Sequence, residues 1–74
     1  MKEEEIRERL LKEKEEFRKV SEEHHKLDIL LAEIDRKVYL TPEEEIERKK
    51  LQKQKLLKKD AMAEMIREFK QAAQ

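Results

Sequence analysis

The chain has no cysteine, no glycine, no tryptophan and a single proline. Without cysteine there is no disulfide, no thiolate nucleophile and no Cys-rich zinc site. Without glycine there is no Gly-rich loop to cradle a phosphate. Aromatic residues make up only 4% of the sequence, too few for the stacked platforms that hold unpaired bases. Long apolar runs are also missing, and nothing approaches the ~20 residues that cross a bilayer. The start, Met1-Lys2-Glu3-Glu4-Glu5, lacks the basic and then apolar order of a secretory leader. The expectation is a cytoplasmic protein with no membrane partner.

What is present is charge. Of the 74 residues 51% are charged and 36% apolar, so a rounded core of ordinary size is out of reach and an elongated helical shape fits better. Such a composition reads as disorder only if the apolar residues are scattered. Here they are periodic. Ile6, Leu10, Phe17, Val20, Leu27, Leu31, Ile34 and Val38 recur at alternating spacings of three and four, the heptad pattern of a helix whose seam needs a second helix to cover it. Only Glu13 and His24 interrupt the two rows.

One signal divides the chain. Thr41 suits an N-cap, Pro42 the first helical position, and Glu44 completes a capping box. Pro42 also disfavours helical geometry at Thr41. The reading is therefore two long helices, about 2–37 and 42–72, joined by a short turn and folded into an antiparallel, coiled-coil-like hairpin: an all-α single domain over residues 1–74. Tyr39 is expected to pack over the turn.

Folding about Leu40 sets positions that add to roughly eighty against each other, Ile34 near Ile46 and His24 near Leu57 among them. The expected helix–helix interface comprises Leu10, Phe17, Val20, His24, Leu27, Leu31, Ile34, Leu51, Met62, Met65 and Phe69, with the two methionines and Phe69 as core filling. Leu11, Ile29, Leu30 and Leu56 fall off this seam. Surplus apolar surface of this kind marks association, here into a helical bundle with a second copy or another helical protein.

Nineteen basic and nineteen acidic residues cancel, yet unevenly: residues 1–47 carry ten basic and sixteen acidic side chains, and residues 48–59 seven basic and none acidic. Lys55, Lys58 and Lys59 are expected to pair with Glu22, Glu23 and Asp28 across the hairpin. Arg48, Lys49, Lys50 and Lys53 offer a second reading, contacts to nucleic-acid phosphates. The overall neutrality and the lack of aromatics within the block weigh against it.

No catalytic constellation is visible, because Ser21 has no evident base and the carboxylates lie on solvent-facing helix positions. Adjacent His24 and His25 point about 100° apart on a helix, so they do not share a metal easily, and His24 with Asp28 at one-turn spacing supplies too few ligands. No enzyme activity, metal or cofactor is expected. A polar residue at a seam position such as His24 fixes register instead.

The runs Phe17-Arg18-Lys19-Val20, His24-His25-Lys26-Leu27-Asp28, Thr41-Pro42 and Lys53-Gln54-Lys55-Leu56-Leu57-Lys58-Lys59-Asp60 resemble the YdcH-like family of short bacterial proteins. The likeness covers most of residues 17–66. It implies a bacterial origin and a helical hairpin, and no established activity. It further implies a distinctive polar patch at His24, Asp28, Lys55, Lys59 and Asp60, with Lys55 or Lys59 paired to Asp28. Lys58 and Ala61 depart from the family pattern, and Leu57 is expected to fill the apolar role there.

Overall fold

A computed structural model describes residues 2–72. Three helices form it: α1 spans Glu3–Glu13, α2 Glu15–Asp35 and α3 Pro42–Ala72. The fold is all-α, as the apolar periodicity and the lack of glycine predict.

Helices α2 and α3 make the antiparallel hairpin. Among the described residues four ion pairs cross the hairpin, Lys37 of the connection to Glu44, then Asp35 to Arg48, Asp28 to Lys55 and Glu23 to Lys58. One number falls as the other rises, which only antiparallel limbs produce. The register places residue i opposite roughly residue 82 − i. Leu27, Leu31 and Leu51 bury one stretch of the seam with half-buried Ile34 beside them.

The turn matches its sequence signal at α3. The Glu44 N–H donates to Thr41 Oγ1 at 3.1 Å and the Thr41 N–H donates to Glu44 Oε1 at 3.1 Å, the reciprocal capping box. Helix α2 stops two residues before the expected position, at Asp35. The Lys37 N–H then reaches Ile34 O at 3.1 Å, a tightened final turn. Val38 and Tyr39 therefore lie in the connection, 87% and 88% exposed, so neither extends the seam nor covers the turn. Ile46 is exposed as well and is not the buried partner of Ile34.

The first limb differs from the single helix read from the heptads. Lys14 is extended, with φ −113° and ψ 108°, and separates α1 from α2. Glu13 supplies the physical reason. A straight helix sets Glu13 on the apolar row, where its charge would have to leave water without a partner. With the break, Glu13 is exposed and accepts from Arg9 at 3.3 Å, while Ile6, Leu10 and Phe17 all become buried. These three form the second core cluster with Met62 and Ile66 of α3, bordered by Leu11, Val20, Met65 and Phe69.

The molecule measures 50 × 20 × 16 Å. Its length barely exceeds the ~46 Å of α3 alone, at 1.5 Å per residue. Helix α1 thus adds to the girth rather than extending the rod.

Candidate functional site

Most of the expected interface residues lie between the helices. Leu10, Phe17, Leu27, Leu31, Leu51 and Met62 are buried, and Val20, His24, Ile34, Met65 and Phe69 are half-buried. Ile6 at 1% exposure and Ile66 at 4% are deeper than most of these, although neither belongs to the expected interface. Their signal was the i, i+4 pairing of Ile6 with Leu10 and of Met62 with Ile66, which marks one apolar face on each of α1 and α3. No polar or charged residue is buried among the described residues.

Between the two clusters the seam turns polar. Lys55 pairs with Asp28, and Lys58 with Glu23 at 2.6 Å. Donation from Lys55 holds the Asp28 carboxyl below its ordinary range, with smaller help from the positive potential of His24 and His25. Donation from Lys58 does the same for Glu23, and donation from Lys37, then from the Thr41 backbone, for Glu44. Of the family-like polar patch, Asp28, Lys55 and Lys59 line one open groove on the hairpin flank together with Leu56 and Gln52. His24 stands one helical turn from Asp28. Asp60 is exposed and does not line that groove.

The basic block is divided by these pairings. Arg48 donates to Asp35 at 2.8 Å, so it is committed to the hairpin. Lys49, Lys50, Lys53 and Lys59 are exposed and take part in no ion pair among the described residues. Lys49 and Lys53 are one turn apart on the outer side of α3. The described residues contain no group of three or more His, Cys, Asp or Glu able to hold a metal ion. No helix among them is long and apolar enough to cross a membrane.

The apolar side chains left outside are the unusual part of the surface. Ile29 and Leu30 on α2 are 47% and 44% exposed, and Leu56 and Leu57 on α3 are 57% and 58% exposed. Leu57 therefore does not fill an interior apolar role. By register Leu56 and Leu57 lie opposite Lys26 and His25, so all four side chains fall within about 8 Å along the hairpin axis. They girdle its middle, next to the polar gap between the clusters. No family model, curated protein or solved structure matches this chain.

Proposed function

We propose that this chain is a non-enzymatic, YdcH-like interaction module of the cytoplasm whose hairpin associates with a second copy of itself. The observation that carries this reading is the mid-hairpin girdle of Ile29, Leu30, Leu56 and Leu57, in a molecule that buries only eight apolar residues among those described. Four large apolar side chains exposed within about 8 Å along the hairpin axis, beside Glu23–Lys58 and Asp28–Lys55, fit a helix-to-helix contact better than a solvated face. The test is the pair Leu30→Glu and Leu57→Glu, which leaves the interior untouched. The double variant is expected to be monomeric with unchanged helicity. An unchanged solution mass would remove the girdle from the interface.

The basic block supports a second reading, nucleic-acid backbone contacts through Lys49, Lys50 and Lys53, because these three cations have no ion pair of their own among the described residues. A salt-sensitive gel shift lost on changing all three to Glu would support it. Absence of any shift by the parent protein at low salt would end it.

A further inference from the structure

We infer that α1 is an exchangeable arm: opening of the Lys14 break into continuous helix carries Ile6 and Leu10 off their own α3 and onto the Met62–Ile66 face of a second copy. The inference rests on the chain associating with a second copy, as proposed above, and assigns to that association a further contact at the open end of the hairpin, separate from the girdle. Its first support is the residue at the break. Glu13, Lys14 and Glu15 contain no Gly or Pro, and Lys and Glu are good helix formers, so backbone propensity demands no interruption and only the charge of Glu13 on the apolar row opposes the straight form. The heptad spacing continues across it, from Leu10 to Phe17.

Its second support is the backbone. The first bond reaching back from α2 is Arg18 N–H to Lys14 O at 3.1 Å, which leaves Glu15, Glu16 and Phe17 with N–H groups at a helix start. A straight helix restores those three bonds. An open surface cleft of about 440 Å³ lies beside the bend, between Lys14, Phe17, Met65 and Phe69.

Register supplies the third. A straight continuation on the 82 − i rule sets Ile6 ten residues, about 15 Å, beyond the level of Ile66, its present neighbour in the core. The straight form therefore exposes Ile6, Leu10, Met62 and Ile66 together. These four residues are core in the bent form, so leaving them in water is costly and α1 needs an α3 surface. The surface shaped for it is the same one on another copy, and reciprocal exchange closes a two-fold dimer.

Four single-substitution variants of the whole chain test this. Glu15→Pro locks the break, because proline suits the first helical position and holds the preceding residue in the extended geometry that Lys14 already has. Glu13→Leu fills the apolar row only in the straight form. Mixing Arg9→Cys with Phe69→Cys chains and adding a short bis-maleimide reports exchange directly, since Arg9 lies over the Phe69 ring at 5.9 Å. The expected results by light scattering are dimer dissociation at least about tenfold easier for Glu15→Pro with helicity retained, and about tenfold harder for Glu13→Leu. Cross-links should join position 9 of one chain to position 69 of the other. A wild-type dimer with neither shift and no such cross-link would overturn the exchange and leave self-association standing. A wild type monomeric at every concentration would overturn both. Should Glu15→Pro lose its helices, unchanged association of Glu13→Leu together with a missing cross-link would overturn the exchange.

Discussion

Thr41 and Glu44 hydrogen-bond to each other's backbone across the first turn of α3, at 3.1 Å in both directions. Lys37 of the preceding segment pairs with the same Glu44 carboxylate. One side chain thus links the end of the first limb to the start of the second, and it does so at the only proline. Loss of the Thr41 hydroxyl leaves the Glu44 N–H without its partner. Thr41→Ala should destabilise the fold by about 1 kcal/mol, within the usual range for a lost N-cap. Urea unfolding followed by circular dichroism measures it, and Thr41→Ser should recover most of the loss.

Phe17 is 0% exposed and lies in the cluster that joins all three helices. Phe17→Ala removes a filled ring and leaves a cavity, at a cost of about 3–5 kcal/mol. Because α1 depends on that cluster, its amides from Ile6 to Glu13 should lose protection from hydrogen exchange before those around Leu27, Leu31 and Leu51. Equal loss in both regions would mean that the two clusters unfold as one.

Acid should weaken the hairpin through identified carboxylates. Glu23, Asp28 and Glu44 are each held below their ordinary values of 4.5, 3.8 and 4.5 by Lys58, Lys55 and Lys37 respectively. A pKa lower in the folded chain means that the unfolded chain binds protons first. The stabilisation is full above the ordinary carboxylate values and disappears as pH falls through the depressed ones. Thermal melts between pH 6 and about pH 2 should show a decline that is shallower in a Glu23→Gln, Asp28→Asn, Glu44→Gln variant. Identical pH profiles for the two proteins would exclude these pairs as its source.

The cross-hairpin pairs should also be separable by charge exchange. Asp28→Lys alone places two cations together and should lower the melting temperature at low salt, and adding Lys55→Asp should restore it. Added salt should shrink the difference, since both side chains are partly exposed.

The turn and the pairing of limbs were legible in the sequence because their signals are local or strictly periodic. Thr41-Pro42-Glu43-Glu44 names its own cap, and the heptad rows name the residues that meet Leu51 and Met62. Lys14 was not legible, since the helix propensities of Glu13, Lys14 and Glu15 favour continuity, and the break answers to burial elsewhere: it frees Glu13 from the seam and lets Ile6 reach α3. Val38 and Tyr39 were misplaced for a related reason. Val38 continues the apolar spacing, but the geometry required before Pro42 ends the helix ahead of it, and Tyr39, expected to pack over the turn, lies in the same exposed connection. The surface surplus was foreseen for Ile29, Leu30 and Leu56, whereas Leu11, expected with them, is half-buried against the cluster of Ile6, Leu10 and Phe17 because the bend turns α1 onto α3. For Leu57 it was not, because two neighbouring leucines on one helix cannot be ranked by spacing alone.

Light scattering on a sizing column, at low and at high salt, tests the central claim most directly. An association driven by the apolar girdle predicts a mass of at least twice the 9.1 kDa chain that persists in high salt. A mass of 9.1 kDa at every concentration and salt would contradict it.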